Sequence, residues 1–318
     1  MRILVTGADG FVGSALCRHL VRQNHSVTGV VRTLKPGVSL AGVDIRAIGD
    51  IAENPGWAEI LPGVEVAIHL AALVHQMGEQ KPPLEAYRRV NTVATERLAE
   101  ACVRHGVARM VFLSSIKVNG EGGSERAYSE ADAPGPRDAY GVSKLEAEIV
   151  LAQVAAASSL ETVIVRPPLI YGPGVRANFH RLLGMSYRMN PVPVPKFTAM
   201  RSMISLGNLT DFLSLCSSRP KAAGQLFLIS DNEDVSVSDL IRRIATLMRH
   251  RSVNLPVPER ALRFVASLAG REEEIRRLAD PLRISTVKAI STLGWSPVLT
   301  LNGGLEEVVK WYLSSRAA

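Results

Sequence analysis

The sequence predicts an α/β fold in which a doubly wound parallel sheet is followed by a smaller C-terminal subdomain. Two observations lead to this prediction. Short β-branched segments alternate with helical patterns up to about residue 166, and a glycine-rich turn directly follows the first of these segments. The alternation then gives way to proline-rich turns and shorter helices, which marks the start of the second region.

Six segments have the composition of buried parallel strands, and they span 2–7, 26–32, 44–48, 64–70, 108–115 and 161–166. Helical patterns at 11–23, 85–105 and 138–157 lie between most of them. A short apolar helix is also predicted at 261–270, where it is expected to pack against its own domain.

Composition narrows the class of protein. Hydrophobic residues make up 47% of the 318 residues and charged residues 21%, which is typical of a globular chain. The longest apolar runs stay below the ~18 residues that a membrane-spanning helix needs, and we expect the first residues to form a strand rather than a signal peptide. Three cysteines without a CxxC motif favour the reducing cytoplasm.

The formal net charge is +7, but the basic residues are interspersed with acids. A diffuse positive field suits small anionic ligands, and we expect neither a nucleic-acid partner nor a metal site.

The glycine-rich turn, VTGADGFVG, joins the first strand to the first helix. Glycine permits a tight turn and a close backbone approach, while the N–H groups at the start of a helix bind a pyrophosphate. We therefore expect a dinucleotide here and a Rossmann domain over 1–166, followed by a mainly substrate-binding subdomain over 167–318 from which some segments return to the first domain. The expected cofactor contacts in the turn are Gly7, Asp9, Gly10, Phe11, Val12 and Gly13.

The TGxxGxxG spacing resembles the extended branch of the short-chain dehydrogenase/reductase superfamily, whose members carry a YxxxK motif. YGVSK supplies Tyr140 and Lys144 near the start of a predicted helix. At this spacing the two side chains share one helix face, so we expect the ammonium to hold the phenol's pKa well below its usual ~10. Ser115 lies 25 residues before Tyr140, as in epimerases of this branch, and is the expected third catalytic group; Ser114 is expected to end the strand.

The resemblance extends to further cofactor contacts. It implies that Asp50 and Ile51 contact the adenine, that residues after the fourth strand pack along the cofactor, and that Lys144 holds the nicotinamide ribose. Asn91 stands where the family has an asparagine that supports the active site. The remaining contacts implied are Leu70, Ala71, Ala72, Tyr140 and Pro167.

The end of the second strand bears on the choice of cofactor. Val31 stands where an acid would bind the ribose 2′-hydroxyl of NAD, and Arg32 follows it. Because a cation there favours a 2′-phosphate, we expect NADP(H), with NAD(H) as the alternative.

For the substrate, the resemblance points to a UDP-linked sugar. Nucleotide-sugar dehydratases of this branch carry an Asp-Glu pair where this chain has Ile116 and Lys117, which disfavours dehydration. Lys117 and Asn119 are expected to line the sugar pocket, although Lys117 could equally face solvent. Asn178 and Arg201 match positions that contact the diphosphate, although Arg201 could equally form a surface salt bridge.

The predicted function is reduction of a UDP-4-keto-hexosamine at C4, since the motifs look most like bacterial UDP-sugar 4-ketoreductases of the UDP-N-acetylquinovosamine dehydrogenase group. The alternatives are a UDP-hexose 4-epimerase that retains NAD, a steroid- or flavonol-type ketoreductase, and a non-catalytic NADP-sensing regulator. Relatives dimerise through the helices that correspond to 85–105 and 138–157, which implies a homodimer.

Overall fold

The computed structural model describes residues 1–34, 39–53, 56–74, 82–122, 126–255 and 280–317. The helix expected at 261–270 lies outside these residues. Thirteen strands occur in the described part of the chain: β1 Arg2–Thr6, β2 Ser26–Val31, β3 Val43–Ala47, β4 Val66–His69, β5 Arg109–Leu113, β6 Glu161–Arg166, β7 Leu169–Tyr171, β8 Val192–Val194, β9 Met200–Arg201, β10 Met203–Ser205, β11 Gln225–Leu228, β12 Val235–Ser236 and β13 Ser252–Asn254.

Ten α-helices are described in these same residues: α1 Phe11–Arg22, α2 Trp57–Ile60, α3 Leu84–Tyr87, α4 Ala94–Arg104, α5 Ala139–Ala156, α6 Ala177–Arg188, α7 Leu206–Ser218, α8 Val237–Leu247, α9 Val287–Leu293 and α10 Leu301–Ala317. A π-helical segment, Arg88–Val93, joins α3 to α4, and a 3₁₀ turn, Ile116–Val118, follows β5. No helix among the described residues is both long and apolar enough to span a membrane.

Seven strands form the central sheet in the order β11-β6-β5-β4-β1-β2-β3, and every neighbouring pair is parallel. This arrangement confirms the predicted doubly wound fold. The order reverses between β1 and β4, and ligands of such sheets bind at the carboxyl ends of the strands beside that reversal. The six predicted strands correspond to β1–β6, and β11 joins them from the C-terminal half.

Two apolar cores cover the faces of the sheet. Alternate residues of each strand point to opposite sides, so Ile3 and Val5 pack in one core while Leu4 packs in the other. The first core contains α1 and α7, and the second contains α2, α4 and α5. A parallel sheet that is covered on both faces requires continuous apolar strands, which explains why the β-branched segments were recognisable in the sequence.

A third core lies among α6, α8 and α10 in the C-terminal half. Three two-stranded sheets accompany it, formed by the pairs β7–β10, β9–β12 and β8–β13. The segment that ends β6 and continues into β7 leads from the central sheet directly to this region.

A buried carboxylate joins the central sheet to the C-terminal half. Asp231 follows β11 and accepts hydrogen bonds from the Tyr171 hydroxyl at 2.7 Å, the Asn208 amide at 2.7 Å and the Ser205 backbone N–H at 2.8 Å. Asn208 in turn bonds both backbone polar groups of Leu299, each at 2.8 Å. Burial raises the pKa of Asp231, and the hydrogen bonds from Tyr171 and Asn208 oppose that rise.

We expect Asp231→Ala to lower the free energy of unfolding by about 3 kcal/mol, because it leaves a buried hydroxyl and a buried amide without their acceptor. Urea unfolding at pH 7 measures this change. Asp239→Ala, which removes an exposed i,i+4 partner of Arg243, is the matched control and should cost less than about 1 kcal/mol. Equal losses for the two variants would contradict the expectation that the hydrogen bonds of Asp231 contribute more to stability than a surface ion pair does.

Candidate active site

The glycine-rich turn is shaped by two close backbone approaches. Gly7 has φ +67°, and a Cβ on it would lie 3.1 Å from the backbone of Ala71. A Cβ on Gly13 would lie 2.0 Å from the Gly7 carbonyl oxygen, so no side chain fits there. Helix α1 begins at Phe11 without a side-chain cap and without an acid in its first turn. Its first N–H groups and its positive end therefore fit a pyrophosphate.

Thr6 holds the end of β4 against this turn. Its hydroxyl oxygen accepts hydrogen bonds from the backbone N–H groups of Leu70 and Ala71, both at 3.1 Å. β1 and β4 lie at the reversal of strand order, where ligands of such sheets bind. These two hydrogen bonds therefore fix the carboxyl ends of the two strands relative to each other.

A buried histidine extends the Thr6 contact across the sheet. His69 Nδ1 lies 2.7 Å from the Thr6 hydroxyl, and His69 Nε2 lies 3.1 Å from the Thr95 hydroxyl. Since Thr95 donates to the Asn91 carbonyl at 2.5 Å, it accepts from His69, which assigns the proton to Nε2. Burial, together with the charge of Lys144, lowers the pKa of His69 to about 3, so the imidazole is neutral.

Asn91 links the end of β4 to the helix that carries Tyr140. Its side-chain oxygen accepts from the Leu73 N–H at 2.8 Å, and its amide donates to the Leu73 carbonyl at 3.0 Å and to the Ser143 hydroxyl at 2.9 Å. Ser143 then donates to the Tyr140 carbonyl at 2.8 Å. The π-helical turn around Asn91 interrupts the predicted helix 85–105, and such insertions often occur at functional sites.

The structure brings the predicted catalytic hydroxyls together. Ser115 follows β5 and begins the 3₁₀ turn, while Tyr140 lies in the first turn of α5; their side chains share a hydrogen bond. Burial raises the pKa of Tyr140 to about 12, the bond to Ser115 opposes this rise, and the charge of Asp138 and the nearby Tyr87 add to it. The Tyr87 ring lies edge-on, with 6.3 Å between ring centroids.

The expectation that Lys144 lowers the pKa of this phenol is wrong for the arrangement observed. The Lys144 ammonium lies 4.0 Å above the centroid of the Phe112 ring, and Glu148 is the charged group that acts on it. Burial lowers the pKa of Lys144 to about 7, which weakens any effect of its charge on Tyr140. The i,i+4 spacing correctly predicted a shared helix face but carried no information about desolvation.

A buried ion pair lies behind Lys144. Glu148 and Arg166 are 5% and 3% exposed, and the guanidinium binds the carboxylate with two nitrogens, Nε at 2.9 Å and Nη2. The Ser114 hydroxyl donates to the same carboxylate, and Arg166 Nη1 donates to Asn119 Oδ1 at 2.9 Å. Sequence reasoning missed both charged residues. The available signal was the i+4 position of Glu148 relative to Lys144.

The predicted substrate residues fall into different environments. The Lys117 ammonium binds the Glu121 carboxylate at 2.9 Å and also the Asp138 carboxylate, so the solvent-facing alternative is wrong. Asn119 is buried, and its amide nitrogen has no partner among the described residues. Arg201 donates to the Asp280 carbonyl; burial lowers its pKa, and the charges of Asp280 and Glu121 oppose that change. Asn178 is exposed in the first turn of α6.

The NAD dependent epimerase/dehydratase family model matches residues 3–191. The chain belongs to this family of enzymes. It is 36% identical to the UDP-glucose 4-epimerase of Vibrio cholerae over 98% of this chain and 96% of that protein. It is 31% identical to the 2-alkyl-3-oxoalkanoate reductase of Stenotrophomonas maltophilia, covering 83% of this chain and 79% of that one. Among solved structures, MoeE5 in complex with UDP-glucuronic acid and NAD is 29% identical, with a TM-score of 0.79 and complete coverage of both chains.

The remaining residues that the family resemblance implicates lie around the same edge. Asp50 accepts from the Ala52 N–H at 2.9 Å and pairs with Arg89 at 2.8 Å, which shapes the turn after β3. Arg32 is exposed directly after β2, and the Pro167 carbonyl accepts from the Ile116 N–H at 3.0 Å. Within the described ranges, no three His, Cys, Asp or Glu side chains cluster as metal ligands would.

We expect the neutral state of His69 to make folding sensitive to acid. Its pKa is depressed in the folded protein, so its contribution to stability is complete above the ordinary value of 6.5 and is lost as the pH falls towards 3. His69→Gln keeps one donor and one acceptor without a titratable group. The free energy of unfolding of the wild type, minus that of the variant, should fall by about 1.4 kcal/mol per pH unit below 6.5. Urea unfolding from pH 7 to pH 4 measures this, and parallel curves would contradict it.

Proposed function

We propose that this protein transfers hydride at C4 of a UDP-linked hexose and acts as a UDP-hexose 4-epimerase. The observation that carries the proposal is the match to the Vibrio cholerae UDP-glucose 4-epimerase along almost the entire length of both chains. The hydrogen-bonded Ser115 and Tyr140, which lie at the carboxyl edge of the sheet beyond the glycine-rich turn, support it. MoeE5, with a UDP-sugar and NAD, offers a related precedent for both ligands.

The dinucleotide, when bound, supplies the site that accepts and returns the hydride. Tyr140 exchanges the proton of the sugar 4-hydroxyl, and Ser115 hydrogen-bonds the same oxygen. Lys144 holds the nicotinamide ribose from the next turn of α5. The glycine-rich turn and the start of α1 bind the pyrophosphate, and Thr6 holds the backbone of Leu70 and Ala71 beside the turn.

A second candidate is the UDP-4-keto-hexosamine 4-reductase. Arg32 favours it, because this exposed arginine follows β2 where no acid is present to bind a ribose 2′-hydroxyl. A reductase must exchange its cofactor in every turnover, and NADPH is the cofactor that such an arginine suits. The anchoring role first expected for Lys117 weighs less, since its ammonium already binds the Glu121 and Asp138 carboxylates.

The substrate contacts remain part of the proposal. Asn119 has a buried amide donor to offer a sugar hydroxyl, and Arg201 lies near Glu121 at the edge of the same region. Lys117 and Asn178 complete the predicted set.

One experiment separates the two candidates. The purified protein is denatured, the released cofactor is quantified, and a second sample is incubated with UDP-glucose without added cofactor. Stoichiometric NAD together with interconversion of UDP-glucose and UDP-galactose supports the epimerase. Stoichiometric consumption of NADPH with a UDP-4-keto-hexosamine, without that interconversion, would overturn it in favour of the reductase.

Tyr140→Phe should lower turnover by about 10²–10⁴-fold, because it removes the proton-transfer group while leaving the glycine-rich turn intact. Cofactor affinity should barely change. Steady-state kinetics and a cofactor titration measure the two effects. Tyr187→Phe, at an exposed position on α6, is the control and should behave like the wild type. A Tyr140 variant with near-normal turnover would refute the assignment.

The reductase candidate predicts that NADPH binds at least about tenfold more tightly than NADH, which corresponds to about 1.4 kcal/mol. Arg32→Ala should abolish this preference, because it removes the contact to the 2′-phosphate. Fluorescence titration with both cofactors measures the ratio. Arg18 is also exposed but lies on α1, so Arg18→Ala is the control and should preserve the preference for NADPH. Equal affinities in the wild type would exclude this role for Arg32.

We also propose a homodimer that forms through α4 and α5. Val103 and Ile149 are exposed apolar side chains on these two helices, at 38% and 48% exposure. Ile149→Glu should therefore shift the protein from dimer to monomer in light scattering, because it would bury a charge in the interface. Val287→Glu, at an exposed position on α9, is the control. A wild-type monomer would contradict the proposal.

A further inference from the structure

Two separate elements carry the proposed catalytic hydroxyls, and both lie next to Lys117. Ser115 begins the 3₁₀ turn Ile116–Val118, and the Lys117 backbone N–H donates to the Ser115 hydroxyl oxygen at 3.3 Å. Tyr140 lies in the first turn of α5, which Asp138 caps by accepting from the Gly141 N–H at 2.7 Å. The position of one hydroxyl relative to the other therefore depends on what joins the turn to the start of the helix.

An ion pair makes that connection. The Lys117 ammonium binds Asp138 Oδ2, and the Glu121 carboxylate binds the same ammonium at 2.9 Å. The Lys117 and Asp138 side chains are 23% and 20% exposed, and that of Glu121 is 10% exposed. Partial burial weakens screening by solvent, so this pair is stronger than an ordinary surface salt bridge.

Backbone packing brings the same two elements together. A Cβ on Gly141 would lie 2.8 Å from the Lys117 carbonyl oxygen. Only glycine permits an approach this close without displacement of the turn. The ion pair and the glycine contact thus lie at one point, which is one residue from Tyr140 along the helix and two residues from Ser115 along the turn.

We propose that Lys117 and Asp138 are positioning residues, which hold Ser115 against Tyr140 and balance the electrostatic field at the phenol. The proposal rests on the proposed role of Tyr140 as the proton-transfer group. The Asp138 carboxylate opposes formation of the phenolate, and the Lys117 ammonium offsets that carboxylate. The polar groups that act on Tyr140 are Ser115 from the turn, Asp138 from the N-cap of α5, and Tyr87 from α3.

The test compares Lys117→Met, Asp138→Asn and the double variant. Asparagine retains the helix cap, so Asp138→Asn removes a charge without removing the Gly141 hydrogen bond. The pH at which turnover reaches half its maximum should rise by about one unit in Lys117→Met and fall by about one unit in Asp138→Asn. The double variant should lie between them. Lys117→Arg, which keeps the charge, should restore the wild-type midpoint.

Glu146→Gln is the matched control, because Glu146 also lies on α5 but pairs with Arg88 at the surface. It should leave the midpoint unchanged. Midpoints that move in the same direction in the two single variants, or that do not move, would overturn the proposal. A purely structural role would lower turnover in both variants without opposite shifts.

A second readout does not require the proposed substrate. Ionisation of Tyr140 is followed by NMR of ¹³Cζ-tyrosine in the cofactor-bound protein, and the Tyr140→Phe variant assigns the signal. Opposite shifts in a protein without activity on UDP-sugars would support the positioning role while refuting the proposed function. Activity on UDP-sugars without opposite shifts would refute the positioning role and leave the proposed function standing.

Discussion

The buried ion pair between Glu148 and Arg166 is the contact on which the rest of the candidate site depends. It joins α5 to the end of β6, and its polar neighbours Ser114 and Asn119 extend it to the segment after β5. Loss of one partner from such a pair typically costs about 3–5 kcal/mol, because the other charge is left without compensation. Every side chain of the proposed catalytic set lies on a segment that this pair holds.

The cofactor side of the site depends on steric constraint rather than on charge. Gly7 and Gly13 allow the turn after β1 to contact both its own helix and the end of β4. Thr6, His69 and Thr95 then connect β1, β4 and α4 through buried hydrogen bonds whose donors and acceptors are all matched. The turn and the start of α1, whose geometry fits a pyrophosphate, are therefore held in place by contacts within the protein.

Burial explains why the titratable groups differ from the expectations drawn from spacing. It raises the pKa of Tyr140 and lowers that of Lys144, so both groups move towards their neutral forms. Charged neighbours then adjust these values, with Asp138 acting on the phenol and Glu148 on the ammonium. The carboxylates beside the proposed catalytic groups therefore contribute to the electrostatics of the candidate site, in addition to burial of the groups themselves.

The sequence by itself determined the local features: the strands β1–β6, the glycine-rich turn, the extent of α5 and the placement of Tyr140 and Lys144 on one of its faces. These depend on residue type and short spacing, which patterns record directly. Only the tertiary structure decided that β11 completes the sheet, that Asp231 joins the two halves, and that Lys117 binds Glu121 and Asp138. Those outcomes depend on which distant segments pack together and on how deeply they are buried, and no local pattern in the chain contains either quantity.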